Sequence, residues 1–208
     1  MYDDLETRLA GALRARPGRR FSVAGARDAA VLLPVVLKPQ PGLIFTVRTD
    51  TLPSHKGQIS FPGGSIDASD VSAEAAALRE ANEELGLDPA QVRVLGELDS
   101  IETFVSGFVV TPIVGVLDGA PELKPNPMEV ARVLHVPLTA LTDAIRSDPG
   151  FEHAGRSYPT EAWVHGDDVI WGVTANLLRL FLERLAEAGP VEAPGESARR
   201  QESTSRRP

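Results

Sequence analysis

Three glutamates lie close together in residues 79–87, which read Arg-Glu-Ala-Asn-Glu-Glu-Leu-Gly-Leu. If this segment is helical, Glu80 and Glu84 lie one turn apart and point within about 40° of each other. Like charges at this spacing destabilise a helix slightly unless a cation lies between them. Mg²⁺ and Mn²⁺ prefer carboxylate oxygens and leave positions free for phosphate oxygens. The spacing therefore fits metal-assisted chemistry at a phosphate, or an ordinary solvated acidic face.

The residues on either side of the glutamates favour a functional site over a solvated face. Phe61, Pro62, Gly63 and Gly64 precede the segment, and Gly86 ends it. Paired glycines allow positive φ angles and close backbone approach, as a metal or phosphate site between a loop and a helix requires. Arg79 lies four residues before Glu83 and can hold the Glu83 carboxylate in one orientation.

The segment resembles the signature of the Nudix hydrolases, G-x5-E-x7-R-E-U-x-E-E-x-G-U, in which U is a bulky aliphatic residue. Residues 79–87 match it, except that Ala81 is small for its position. The earlier acidic position falls on Asp70, with one extra residue before Arg79, which leaves Asp70 only a weak candidate for a metal ligand.

The resemblance implies an α/β fold of the α/β/α sandwich type with a mixed β-sheet. It also implies a Mg²⁺- or Mn²⁺-dependent attack of water on a diphosphate. Glu80 and Glu84 would be the principal metal ligands, Glu83 an additional ligand, and Arg79 the group that orients them.

A second stretch resembles one group of this family, the coenzyme A pyrophosphatases. That group's pattern is approximately LLTxRSxxLRxHxGQxxFPGG, and residues 43–64 are similar to it. The extra residue before ALRE is also typical of the group, which commonly reads GGxxDxxD there. Two later segments agree, NPMEV at 126–130 and IWGVTA at 170–175, so that the resemblance covers roughly residues 28–182.

The implied reaction is cleavage of coenzyme A, or a derivative, to 3′,5′-ADP and 4′-phosphopantetheine or its acyl form. Substrate-binding candidates are Arg48, His55, Lys56, Gly63 and Gly64. Arg48 or Lys56 could replace a basic residue that the group often carries where this chain has Pro53.

Two acidic residues and one aromatic residue are left with alternative roles. Glu129 or Glu83 could accept the proton of the attacking water, and the sequence does not choose between them. Trp171 could stack on an adenine ring, but core packing at the start of a helix is favoured.

Two other functions remain open at this stage. The chain could hydrolyse another nucleoside diphosphate derivative, such as ADP-ribose or NADH. It could also be a non-catalytic Nudix domain that only binds a ligand, although Glu80, Glu83 and Glu84 are all present.

The bulk composition limits the classes of partner. The net charge of −8 over 208 residues disfavours nucleic acid, because phosphate backbones require a basic face. There are no cysteines, which excludes disulfides and thiolate chemistry and fits a cytoplasmic protein. We expect no signal peptide, no membrane span and a small-molecule substrate, and the sequence leaves a homodimer open.

Three parts of the chain are expected. Residues 1–26 form an N-terminal helix (4–15) and a lead-in, residues 27–188 form the Nudix domain, and residues 189–208 form a disordered tail. The domain is expected to contain strands at 27–37, 42–48, 92–101, 108–117 and 130–136, and an extended piece at 58–61. Pro34 is expected to place part of the first strand at an edge or a bulge. Helices are expected at 72–85, from Pro137 to about Arg146, and at 172–188.

Overall fold

The computed structural model describes residues 2–49, 57–103, 106–142, 145–153 and 156–187. The expected tail at 189–208 and the candidates His55 and Lys56 lie outside these residues. The described part contains four helices, eleven strands and a short 3₁₀ turn at Pro89–Gln91. The helices are α1 (Tyr2–Ala15), α2 (Ala73–Leu85), α3 (Leu138–Thr142) and α4 (Gly172–Glu187). The strands are β1 (Arg27–Val36), β2 (Gly42–Arg48), β3 (Ile59–Ser60), β4 (Gly63–Ser65), β5 (Arg93–Glu97), β6 (Ile101–Thr103), β7 (Phe108–Leu117), β8 (Val130–Pro137), β9 (Ile145–His153), β10 (Arg156–His165) and β11 (Asp168–Ile170).

The main sheet is mixed, as predicted. Its central path runs β3-β2-β1-β7-β5, with β4 paired to β1, β6 to β7 and β8 to β2. Strands β1 and β7 are parallel along their whole length, and the other pairs are antiparallel.

The expectation that Pro34 marks an edge or a bulge is wrong. Strand β1 is central, and Pro34 lies opposite Gly115 of β7 in an unbroken register. On its other side β1 pairs with β4 at residues 29–31 and with β2 at residues 35–36. Pro34 lies in the gap between these two partners, where the missing N–H removes no ladder bond.

Helices cover both faces of the main sheet. Odd-numbered residues of β1, such as Leu33 and Val35, belong to a core cluster with residues of α1 and α4. Even-numbered residues, such as Leu32 and Val36, belong to a second cluster with residues of α2. Alternate side chains of a strand point to opposite faces, so this division shows the predicted α/β/α sandwich.

Helix α2 has the predicted ends. The Ser72 side chain accepts a hydrogen bond from the amide of Ala75 and caps the N-terminus. Gly86 has φ 64° and donates its amide to the carbonyl of Asn82, which ends the helix. The buried stripe is mostly alanine, which lets α2 pack close to the sheet.

The helix predicted from Pro137 to Arg146 is only partly correct. Helix α3 ends at Thr142, and the indole of Trp163 donates to the Leu141 carbonyl at 2.8 Å, replacing the amide that a longer helix would supply. Strands β9, β10 and β11 form a second sheet that the sequence did not indicate. Its prolines fall at a register shift between Tyr158 and Thr160, where missing amide donors are tolerated. No helix in the described residues is long and apolar enough to span a bilayer.

Candidate functional site

Helix α2 gives its three glutamates different environments. The side chain of Glu83 is 56% exposed and that of Glu80 is 17% exposed. Glu84 is buried at 4% exposure, although it follows Glu83 directly. Glu80 and Glu84 share the face that turns toward the glycines of β4, while Glu83 points toward solvent.

Arg79 organises the N-terminal side of the site. It makes two hydrogen bonds of 3.0 Å to the Asp70 carboxylate, and Nη2 also donates to the Ser65 carbonyl at 3.1 Å. Its Nη1 donates to Glu80 at 2.9 Å and to Glu83 at 3.2 Å. One guanidinium therefore holds three carboxylates and a loop carbonyl in fixed positions.

Asp70 is a partner of Arg79 in this structure. Its side chain is only 6% exposed, and it also accepts the amide of Asp67 at 2.8 Å. The hydrogen bonds from Arg79, followed by that amide, lower the pKa of Asp70. Both carboxylate oxygens therefore accept hydrogen bonds.

Glu84 is the most perturbed carboxylate of the site. Its pKa is raised to about 8, chiefly by burial and also by the negative charges of Glu80 and Glu129. The charge of Arg48 and a hydrogen bond from the Gly63 backbone lower it in part. One oxygen, Oε2, is buried and has no hydrogen-bond partner. A buried carboxylate left unpartnered is costly, which marks this position as a place where a cation would be stabilising.

Burial and charge also act on Glu80. Desolvation raises its pKa, hydrogen bonding and charge from Arg79 oppose the rise, and the charges of Glu83 and Glu129 add to it. Raised pKa values on two neighbouring carboxylates are typical of a functional cluster.

The turn at residues 124–129 closes the C-terminal end of α2. The amides of Lys124 and Asn126 donate to the carbonyls of Leu85 and Glu84 at 2.7 and 2.8 Å. These bonds satisfy two carbonyls that the end of a helix leaves free. The turn therefore follows the end of α2 closely and brings Glu129 near the site.

Glu129 is held on the β2 side of the same turn. The Asn126 side-chain amide donates to its carboxylate at 3.2 Å, and the Thr49 amide donates to its carbonyl at 2.9 Å. Strand pairing also places Arg48 opposite Val130. Within Arg48, Nε is buried and has no hydrogen-bond partner. The end of β2 thus adds a cation to a cluster that is otherwise acidic.

Gly63 and Gly64 are required by close contacts. Gly63 has φ 155°, and a Cβ there would lie 2.4 Å from the Ala30 carbonyl oxygen. A Cβ on Gly64 would lie 2.6 Å from the Glu80 carboxylate. The absence of side chains leaves space for that carboxylate against the β4 backbone.

Across the described ranges, no three histidine, aspartate or glutamate side chains form a ready-made metal site. Glu80 is turned toward Arg79 and Glu83 toward solvent, so only Glu84 has a buried free oxygen. The donor set is nevertheless the hard oxygen type that Mg²⁺ or Mn²⁺ prefers.

The structure brings most of the predicted site residues together. Contacts or electrostatic interactions link Arg48, Gly63, Gly64, Arg79, Glu80, Glu83, Glu84 and Glu129. The expectation that Trp171 packs in the core is wrong, because its side chain is 42% exposed. Asp70 is an unpredicted partner of Arg79, because the contact depends on how the loop before α2 folds back on the helix.

Comparison with known proteins identifies the family. The NUDIX domain family matches residues 26–159, which is more than half of the chain. A protein named "Uncharacterized Nudix hydrolase NudL" from Salmonella newport is 40% identical over 165 residues, covering 79% of this chain and 85% of that protein. A protein of the same name from Escherichia coli (strain K12 / DH10B) is 37% identical over 175 residues, with the same coverage.

Solved structures agree on the fold. A Nudix hydrolase from M. smegmatis, RenU, has a TM-score of 0.55 at 19% identity and covers 85% of this chain and 94% of its own. A MutT protein from Methanosarcina mazei Go1 has a TM-score of 0.54 at 14% identity, covering 81% and 100%. The family match, the relatives and the capped carboxylate helix give one conclusion: this chain belongs to the Nudix hydrolase family.

Proposed function

We propose that this protein is a metal-dependent hydrolase that cleaves the diphosphate of coenzyme A or a derivative. The products would be 3′,5′-ADP and 4′-phosphopantetheine or its acyl form. The observation that carries the hydrolase proposal is Glu84, a buried carboxylate with an unpartnered oxygen beside Glu80 and Glu129.

The residues present fit a hard divalent cation. Glu84 offers a desolvated oxygen, and the missing side chain of Gly64 lets the Glu80 carboxylate lie against the β4 backbone. Glu80 and Glu84 would hold Mg²⁺ or Mn²⁺, with Glu83 as an additional ligand. When bound, such an ion neutralises diphosphate oxygens and stabilises the leaving phosphate.

The chain's own groups supply orientation and proton transfer. Arg79 holds Glu80 and Glu83, and the Gly63 backbone positions Glu84. We assign Glu129 as the proton acceptor. It lies next to the acidic cluster and accepts from the neutral Asn126 amide, whereas Glu83 is bound to the Arg79 cation.

The coenzyme A assignment rests on the sequence pattern of residues 43–64 and 126–130 together with the cation at the end of β2. The positive charge of Arg48 lies close enough to Glu84 to lower its pKa, and the same charge would attract a phosphate group of the substrate. Gly63 and Gly64 allow the diphosphate to approach the backbone.

Product analysis tests this function. The protein is incubated with coenzyme A, ADP-ribose or NADH in the presence of Mg²⁺ or Mn²⁺, and with a chelator as the control. We expect 3′,5′-ADP from coenzyme A, and no product with the chelator. Cleavage of ADP-ribose or NADH without cleavage of coenzyme A would assign the substrate to another nucleoside diphosphate derivative. Ligand binding without any cleavage would make the protein a binding module.

The assignment of the base has its own test. Glu129→Gln should lower kcat by about 100-fold or more, because the amide cannot accept a proton. Glu83→Gln should lower kcat less. The reverse result would assign Glu83 as the base.

A further inference from the structure

Trp171 is the exposed one of the two tryptophans in this chain. Trp163 is 1% exposed and donates its indole N–H to the Leu141 carbonyl. Trp171 is 42% exposed. A large aromatic side chain is usually covered, because it carries much of the apolar area that folding can remove from water.

The residues before and after Trp171 in the chain are held in place by other parts of the fold. Ile170 is 1% exposed and pairs with Trp163 across the β10–β11 ladder. Gly172 has φ 64° and begins α4, and the Thr174 hydroxyl donates to the Ile59 carbonyl at 2.9 Å. The indole is therefore presented to solvent from a rigid strand-to-helix junction.

Two contacts tie this junction to the candidate site. The Ile59 carbonyl is four residues from Gly63, whose backbone hydrogen-bonds to Glu84. On the other side, Asp168 of β11 is paired with Arg132, which is three residues from Glu129. At no more than about 3.6 Å per residue, each contact lies within roughly 15 Å of a site residue.

Two valines close to Trp171 in the chain are also exposed. Val169 and Val173, on either side of it in the chain, are 45% and 39% exposed. The exposed indole offers a flat π face, which suits a flat heteroaromatic ring better than the flexible amide chain of pantetheine, which has no π face.

We infer that the Trp171 indole is the stacking surface for the adenine ring of the substrate. The inference rests on the proposed function only in requiring a substrate that carries adenine. Coenzyme A, ADP-ribose and NADH all do. Stacking of a base on an aromatic side chain is sequence-tolerant and contributes substantially to affinity.

Fluorescence of the full chain tests the inference without turnover. We expect 3′,5′-ADP, which contains adenine but no diphosphate, to quench the exposed Trp171, while buried Trp163 provides a constant background. Trp171→Phe should abolish the quench. An equal quench by 4′-phosphopantetheine, or no quench by 3′,5′-ADP, would overturn the inference. A blue shift on concentrating the ligand-free protein would also overturn it, by assigning the surface to self-association.

Kinetics give the second measurement. Trp171→Ala should raise KM for the cleaved substrate by about 5- to 150-fold with little change in kcat, the range expected for loss of one base–aromatic stack. Trp171→Phe is the matched control, because it keeps an aromatic face at the same position, and it should raise KM less than Trp171→Ala does.

The two proposals can fail separately. Cleavage of coenzyme A with an unchanged KM in Trp171→Ala would refute the adenine site and leave the proposed function standing. Quenching by 3′,5′-ADP in a protein that cleaves no coenzyme A would refute the proposed function and support the adenine site.

Discussion

Two networks in this protein are each centred on one arginine, but their carboxylates differ in how well their negative charge is compensated. Arg93 on β5 makes two hydrogen bonds to Glu6 and two to Asp118, at 2.7–3.0 Å. Arg79 on α2 binds Asp70 in the same two-bond manner and also reaches Glu80 and Glu83.

The difference lies in the direction of the pKa shifts. Hydrogen bonds from Arg93 lower the pKa of both Glu6 and Asp118, so each acid in that network is stabilised as a charge. Beside Arg79, burial raises the pKa of Glu80 and Glu84. In a structural ion pair, each charge is neutralised by its partner. A buried carboxylate without such a partner is more typical of a site that binds a ligand.

The largest expected effect is that of Glu84→Gln. We expect hydrolysis to fall by more than the roughly 10- to 100-fold typical of losing an outer-shell partner of a metal. The unfolding free energy should stay equal or rise, because a neutral amide avoids the proton uptake that folding imposes on Glu84 below about pH 8. Turnover and thermal unfolding check both parts. Unchanged turnover would remove Glu84 from the reaction.

Gly64→Ala tests whether space for a carboxylate matters as much as its charge. The added methyl would lie 2.6 Å from the Glu80 carboxylate and must displace it, so we expect roughly a 10- to 100-fold loss of kcat. Gly11→Ala in α1 is the matched control, because nothing lies within 4 Å of its Cβ. That control should stabilise the protein by about 0.5–1 kcal/mol and leave kcat unchanged. Full activity in Gly64→Ala would contradict the close fit.

The stability of the metal-free protein should depend on pH in a direction set by Glu84. Because its folded pKa of about 8 lies above its ordinary value of 4.5, the folded protein keeps a proton that the unfolded chain has released. The unfolding free energy should therefore fall by about 1–3 kcal/mol as the pH rises from 4.5 to 8, with Glu80 acting in the same direction. Urea unfolding at several pH values measures this slope. Glu84→Gln should flatten it, and an unchanged slope would contradict the assignment.

The smallest effect is expected in the network of Arg93, Glu6 and Asp118. Glu6→Gln removes one partner of a partly exposed Arg93 pair, so we expect a loss of up to about 1 kcal/mol of stability. Its turnover should equal that of the wild type. A loss of activity comparable to that of Glu84→Gln would mean that the two networks do not differ in function.

Local sequence features correctly predicted the helix that carries the candidate site. Ser72 and Gly86 act on their immediate neighbours, so the bounds of α2 followed from cap chemistry. Helical periodicity likewise put Glu80 and Glu84 on one face. The failures involve contacts between distant segments, such as the indole of Trp163 ending α3 and the second sheet.

The sequence by itself determined the capped carboxylate helix and the Nudix family, because both depend on residue types at short spacings. Only the tertiary structure decided which glutamate is buried. Glu84 is covered by groups from the glycine strand and from the turn about forty residues later, while Glu83 remains exposed. The tertiary structure also decided that Arg79 hydrogen-bonds to Asp70 and that Trp171 is exposed to solvent. Burial and charge compensation are sums over non-local neighbours, and these are known only once the chain has folded.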